Sequence, residues 1–394
     1  MQAKSIKGKS LEEIQSALQQ CMVDASLPKG VPMAPDGQGF KPTLAFVFMS
    51  IKQDYDAVSA LLDASGISIF GATTAGEFID EEIGAGSISI LLLDMNRSNF
   101  KILIEDYSHK DPEELARNMA HQANDLFHHP AFILSYSVEV AAGLGLGEPI
   151  IRAIESVAGR DITIWGGGAG DDLAFIQTAV FTNGQSTNNG IILLVMDEDK
   201  IEVRGMAASG HKAVGTEKIV TKAIGNVMYA IDHQPATEMV LKYMGLKLTK
   251  EEAETFTPGI VVFSLLRDTG DPVLRSSGVF DLENKSLVIN GSIKEGDKIR
   301  LTLPPDFEVI EEVRKSASKV QQTEMPDADA LLMFSCVGRL AEFGPMIGDE
   351  IQGVKNVFNV PMAGFFTYGE FGRATLGNNE FHNHTCCWVA LKEK

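Results

Sequence analysis

The residues best suited to chemistry are four carboxylates that follow glycines. Glu77 belongs to Gly71-Ala72-Thr73-Thr74-Ala75-Gly76-Glu77-Phe78, and Glu370 to Gly364-Phe365-Phe366-Thr367-Tyr368-Gly369-Glu370-Phe371. Asp171 and Asp172 end a looser copy, Gly168-Ala169-Gly170-Asp171-Asp172. A glycine before an acid lets the backbone take positive φ or pass close to another atom, and leaves the carboxylate at a strand end. If the copies pack around a pseudo-axis, these acids face a shared cleft. There they suit an ammonium or guanidinium ligand, or general acid–base work. Acids that cap nearby amides in a duplicated fold satisfy the same pattern.

Arg339, just after Phe334-Ser335-Cys336-Val337-Gly338, can fork onto a carboxylate, either a ligand's or that of Glu370. Arg275 carries the same ambiguity with a stronger structural lean. The tail His382-Asn383-His384-Thr385-Cys386-Cys387 puts His382, His384 and Cys386 on one face of a strand, two nitrogens and a thiolate. Three ligands on one strand diverge, however, and no fourth is identifiable. His211, in the polar turn Ala208-Ser209-Gly210-His211, is a candidate ligand-facing or axial imidazole. His128 and His129 read as ordinary residues at a helix C-terminus. The sequence has no G-x-S-x-G elbow, H-E-x-x-H or Walker A motif. Gly143-Leu144-Gly145-Leu146-Gly147 lacks dinucleotide spacing, and Glu148 beside it would repel phosphate. Catalysis through the carboxylates and Cys336 is the weakest option, since no base–nucleophile pair accompanies them.

The elements that must position these groups follow from apolar periodicity. Short continuous runs at 44–48, 67–70, 87–92, 131–134, 162–165, 178–182, 191–195, 330–334 and 386–391 predict strands, with 44–48 and the strand before Arg339 read as buried. Capping signals predict helices from Ser10, Asp54 and Asp111, and further helices begin near Pro149 and Pro235 and after Pro305. Residues 28–42 form a Pro/Gly-rich loop, and 260–303 read as an antiparallel meander with turns such as Asn290-Gly291. The expected fold is α/β: mixed sheets built from repeated strand-helix-strand-turn-strand units in two related halves, and not a doubly wound nucleotide fold. The expected domains are an N-terminal helix and loop over 1–42, a domain over 43–220 and another over 221–394.

Bulk properties narrow the function further. The chain has 394 residues and a formal charge of −19, with 53 acids against 34 Lys and Arg. That balance argues against nucleic acid and against an anionic membrane surface. No apolar run is long enough to span a bilayer. Four cysteines without a CxxC pair read as reduced thiols, and the expected location is cytoplasmic.

With these residues in view, the chain resembles the FIST family, a two-part sensory module of signalling proteins. The carriers in the N-terminal part are the Gly71–Phe78 and Gly166–Asp172 turns and Phe181-Thr182-Asn183-Gly184. The junction resembles Val220 to Val227 followed by Pro235-Ala236, and the C-terminal signatures are Phe334–Arg339, Gly364–Phe371 and His382-Asn383 with Thr385. Gly210-His211-Lys212 stands where the family pattern has a Gly-Trp-type turn. The resemblance implies ligand sensing and not catalysis, with a small polar ligand such as an amino acid held between the halves. On that reading Glu77, Asp171 and Glu370 take a cationic end, with Asp172 nearby, and Arg339 takes an acidic end. Thr74, Thr367 and Tyr368 orient the ligand by hydrogen bonds, and Gly76, Gly170, Gly369 and Asn383 complete the expected ligand-binding set. One branch of the family implies an alternative: a haem-binding nitric oxide sensor, with His211 or His382 as the iron ligand, regulating a partner histidine kinase or cyclic-di-GMP enzyme.

Overall fold

Three stretches of chain repeat one order of elements. The first runs β1 (Ala3–Gly8), α1 (Leu11–Val23), β2 (Leu44–Met49), α2 (Tyr55–Ala64), β3 (Ser68–Thr73), a hairpin of β4 (Glu77–Ile79) and β5 (Glu82–Gly84), and β6 (Ile88–Leu93). The second runs β7 (Phe100–Asp106), α3 (Pro112–Leu126), β8 (Pro130–Ser137), α4 (Gly147–Ala158), β9 (Thr163–Gly167), a hairpin of β10 (Val180–Thr182) and β11 (Gln185–Thr187), and β12 (Gly190–Asp197). The third opens with β13 (Ile201–Ala208) and is interrupted by β14 (Lys212–Ile224), β15 (Val227–Ile231), β16 (Gln234–Pro235), α5 (Ala236–Met244), α6 (Lys250–Glu254), β17 (Val262–Leu265), β18 (Val273–Asp281), β19 (Ser286–Ile289) and β20 (Lys298–Leu303). It resumes with α7 (Glu308–Thr323), β21 (Ala330–Cys336), α8 (Val337–Phe343), α9 (Ile347–Phe358), β22 (Met362–Thr367), a hairpin of β23 (Glu370–Arg373) and β24 (Asn379–His382), and β25 (Cys386–Glu393). This computed structural model describes residues 1–23, 40–137, 145–254, 261–374 and 377–394. Most of the Pro/Gly-rich loop, and Gly143 of the glycine run, lie outside the described residues.

Corresponding strands take corresponding places. The orders β1-β6-β2-β3, β7-β12-β8-β9 and β13-β25-β21-β22 are equivalent, with the last pair parallel in each and the other pairs antiparallel. Each unit then passes its hairpin to a neighbour. The β4–β5 hairpin pairs with β22, the β23–β24 hairpin with β9, and the β10–β11 hairpin with β3. The exchange is cyclic and completes three six-stranded sheets. The two ends of the sequence are thus interlocked through shared sheets, in the mixed α/β architecture that the repeated units predict.

Why the strand sequences are apolar throughout is now clear. On β2, Leu44, Phe46 and Phe48 face a core shared by all three sheets, where they meet Ile133, Trp165, Phe334 and Phe365. The alternate residues Ala45, Val47 and Met49 pack outward among Ile14, Leu18, Val58 and Leu62 of the covering helices. β8 and β21 divide in the same way between the shared core and a helix-covered face. Period-two alternation with both faces buried gives a continuous apolar run.

The interruption in the third unit is an antiparallel barrel. Its order is β14-β20-β17-β18-β19-β15-β16, and pairing of β14 with β15 closes the ring around its own apolar core. Among the described residues no helix is long and apolar enough to cross a membrane.

Candidate functional site

The three glycine turns meet where the sheets exchange hairpins, and their backbones bond directly to one another. The Ala75 amide donates to the Phe366 carbonyl at 3.0 Å, and Gly170 and Asp172 donate to the Thr73 and Thr74 carbonyls at 2.8 Å. Gly168 donates to the Gly369 carbonyl at 2.8 Å. Such approach excludes side chains: a Cβ at Gly170 would lie 2.4 Å from the Ala75 nitrogen. Gly76 and Gly369 occupy equivalent turns at φ +121° and +109°, a region open to glycine.

Glu77, Asp171 and Glu370 are buried, Asp172 is partly exposed, and each is bonded within the protein. Glu77 accepts from the Ser87 amide at 2.8 Å and the Thr74 hydroxyl at 2.9 Å. Burial raises its pKa, against the pull of Ser87 and Thr74. Glu370 accepts from the Thr367 hydroxyl as Glu77 does from Thr74, its second oxygen is buried without a hydrogen-bond partner among the described residues, and burial pushes its pKa up to about 8. Asp171 caps the Phe175, Ile176 and Gln177 amides at 2.7–2.9 Å and accepts from the Tyr368 hydroxyl at 2.5 Å. Asp172 accepts from the Ser50 hydroxyl at 2.6 Å and pairs with Lys52 at 3.1 Å. The structure therefore brings Thr74, Gly76, Glu77, Gly170, Asp171, Asp172, Thr367, Tyr368, Gly369 and Glu370 together, bonded to one another and to the backbone.

Arg339 lies apart from that cluster. Its guanidinium is fully buried, forks onto Glu350 and donates to the Ser209 and His384 carbonyls at 2.6 and 3.1 Å. Its carboxylate partner is Glu350 and not Glu370. Arg275 is equally buried and pairs with Glu148, which also meets Arg267 at 2.8 Å and Arg152 at 3.7 Å. Burial opposes the charge on Glu148, but the three guanidiniums outweigh it and hold its pKa at about 2. This network ties α4 to the barrel. Asn383 makes a second tie, accepting from the Ser276 amide at 2.9 Å.

Open space lies elsewhere, between the barrel and the third unit. A cavity of about 390 Å³ is walled by Met206 to His211 at and beyond the end of β13, by Ser264, Asp271 and Leu274 of the barrel, by Val309, Glu312 and Ser316 of α7, and by His382 and Thr385. Both sequence-singled histidines thus reach one cavity. His382 is buried, which lowers its pKa to about 4, and its Nε2 faces the Gly372 carbonyl at 3.2 Å. His211 has both ring nitrogens engaged, Nδ1 with Thr302 at 2.9 Å and Nε2 with Glu342 at 2.8 Å. His384, read in the sequence as a partner of His382 and Cys386, turns instead to Glu342 at 2.8 Å. Cys386 is buried and its thiol pKa raised. Burial raises the Cys336 thiol likewise, which opposes nucleophilic use. Sequence reasoning missed Asp271, Glu312 and Glu342. Their only local signal is an acid in a turn or on a helix face, which is common on any surface.

Comparison with known families assigns both parts of the chain. The FIST N domain model matches residues 43–234, and the FIST C domain model matches residues 236–373. No curated protein matches the chain. Within the cavity wall, Met206 to His211 come from the first matched segment, and the barrel and α7 residues from the second.

Proposed function

We propose a function from one premise: the chain belongs to the FIST family, whose domains are sensory, ligand-binding modules of signal transduction. The protein senses a small amine-bearing polar molecule, of which a free amino acid is the leading class, in the cavity between the barrel and the third unit. One observation carries this reading. The cavity wall includes Asp271, Glu312 and several hydroxyls, and no lysine or arginine is among its described residues. Carboxylates attract an ammonium group, and hydroxyls orient the remaining polar atoms. Both matched segments contribute to the wall, so occupancy would couple the parts and shift their relative populations. The output would pass to a signalling partner such as a histidine kinase or cyclic-di-GMP enzyme, with no reaction catalysed by this chain.

The test is calorimetric titration with a panel of amino acids, amines and their deaminated acids. Amine-bearing compounds should bind, and Glu312→Gln should weaken them by up to about 5-fold, the scale of one exposed charge contact. Binding confined to the deaminated acids would refute the assignment.

A second reading has one supporting observation, the presence of His211 and His382 in one wall. His382 fits an axial haem ligand, since its Nε2 alone is engaged among the described residues. His211 does not fit, because Glu342 stands 2.8 Å from its Nε2, where the iron and its macrocycle would have to lie. Haemin titration followed by nitric oxide tests this. A Soret band lost in His382→Ala and kept in His211→Ala supports it, and no haemin uptake removes it.

A further inference from the structure

We infer that His211, Glu342 and His384 form a binding site for one divalent first-row transition-metal ion, at the edge of the cavity to which His211 belongs. The inference goes beyond the amine-sensing reading and does not depend on it.

Three separate elements converge to build the group. His211 immediately precedes β14, Glu342 lies on α8, and His384 sits in the turn between β24 and β25. His384 holds φ +51°, an uncommon backbone state for a residue with a Cβ. Gly338 leaves room for its ring, since a Cβ there would lie 2.4 Å from a ring carbon. The outcome is a compact set of donors. Both His211 Nε2 and His384 Nδ1 stand 2.8 Å from the same Glu342 oxygen, and the three ligand atoms lie within 4.8 Å of one another. Metal bonds of about 2.0–2.2 Å in a tetrahedral arrangement need donor atoms roughly 3.5 Å apart. Each histidine nitrogen lies only about 0.7 Å inside that spacing from the Glu342 oxygen.

The donor and acceptor roles within the group suit a bound cation. Thr302 Oγ1 gives its single proton to the Val262 carbonyl at 2.9 Å, so it accepts from His211 Nδ1–H at 2.9 Å. A neutral His211 then aims a bare Nε2 at a carboxylate oxygen, lone pair against lone pair. A positive charge between them removes that repulsion. The Nδ1–H bond to Thr302 is also the outer contact that orients metal-bound imidazoles. The second oxygen of Glu342 is buried with no hydrogen-bond partner among the described residues. A buried carboxylate with an unused oxygen is costly unless a cation engages it. The side chains of both histidines are 1% exposed, which keeps bulk water from serving instead. Two imidazoles and one carboxylate suit zinc(II) or iron(II), with a position left for water or a ligand atom.

The experiment uses the full chain, stripped with a chelator and titrated with zinc(II) and cobalt(II). Because exposed His128, His129 and Asp199 form a second such group, it is run also on a His128→Ala/His129→Ala variant. About one ion per chain should bind in both proteins, with visible cobalt absorption of a low-coordinate site. Glu342→Gln and His211→Ala should each weaken binding about 100-fold or more, given that even outer-contact losses reach 10–100-fold. Glu312→Gln should leave metal affinity unchanged, so failure of the amine reading and of this one are separable. Absence of binding in the His128→Ala/His129→Ala variant overturns the proposal and identifies the buried charge as a proton on imidazole. Undiminished binding in folded Glu342→Gln and His211→Ala overturns it too. Should Glu342→Gln fail to fold, judged by circular dichroism, His211→Ala decides.

Discussion

Glu148 gives the sharpest measure of how the barrel is held to the repeated units. It lies on α4, and its partners Arg275 and Arg267 come from the barrel. Arg275 is fully buried, so Glu148→Gln would leave a guanidinium in the interior without its countercharge. The folded carboxyl is held at about 2 against a model-peptide value of 4.5. At about 1.4 kcal/mol per pH unit, that difference corresponds to about 3 kcal/mol at neutral pH. Breaking a buried pair by removing one partner gives a similar figure, about 3–5 kcal/mol. The sign follows from the depressed pKa. The stabilisation is complete above the unfolded value, and it is lost as pH falls from about 4.5 toward 2. Urea unfolding of both proteins at pH 7 should therefore differ by about 3 kcal/mol, and at pH 3 by roughly half as much. Equal stabilities at pH 7, or a gap that does not narrow by pH 3, would refute the reasoning. In the first case Glu380, which also contacts Arg267 and Arg152, carries the balance.

Three further outcomes test the repeated frame. Gly364→Ala places a methyl 2.2 Å from the Phe78 ring and 2.3 Å from the Met333 carbonyl, so it should destabilise by about 1–3 kcal/mol or more in urea unfolding. Glu350→Gln strands the buried Arg339 and should cost about 3–5 kcal/mol by the same measurement, whereas a ligand-clamping role for Arg339 would leave stability nearly unchanged. Asp171→Asn loses a charged cap of three amides together with the Tyr368 bond. It should cost about 1–3 kcal/mol, and a double-mutant cycle with Tyr368→Phe should show coupling of about 0.5 kcal/mol or more.

Much of the frame was legible because its strands are buried on both faces. Leu44 to Met49 and Ala330 to Cys336 read as strands without any alternation to interpret, since every position is in a core. The edge strand β1 was not legible. Its Lys4 and Lys7 break the apolar run, and its place is set by pairing with β6, far along the sequence. The glycine–acid turns were found, but their purpose was not. Gly71 is opposite Phe181 and Gly364 opposite Phe78, each pair joining different units. A Cβ on either glycine would lie 2.2 Å from the facing ring. Local spacing shows that a glycine is needed but not what approaches it. The same limit hid Arg339 with Glu350, 11 residues away, and His211 with Glu342, 131 residues away.

The pseudo-threefold order also explains how the carboxylates of the most visible motif come to be engaged within the protein. Equivalent residues of interlocked units meet one another at the exchange points. A carboxylate recurring there is available to neighbouring hydroxyls and amides before it is available to solvent, as Glu77 and Glu370 show through Thr74 and Thr367. A binding site for an asymmetric molecule is more easily built where the repetition stops. It stops between β13 and α7, where the barrel enters the third unit, and there the cavity and the His211–Glu342–His384 group are found. Residues that occur only once in the pattern are therefore the ones on which the proposed amine and metal sites both draw.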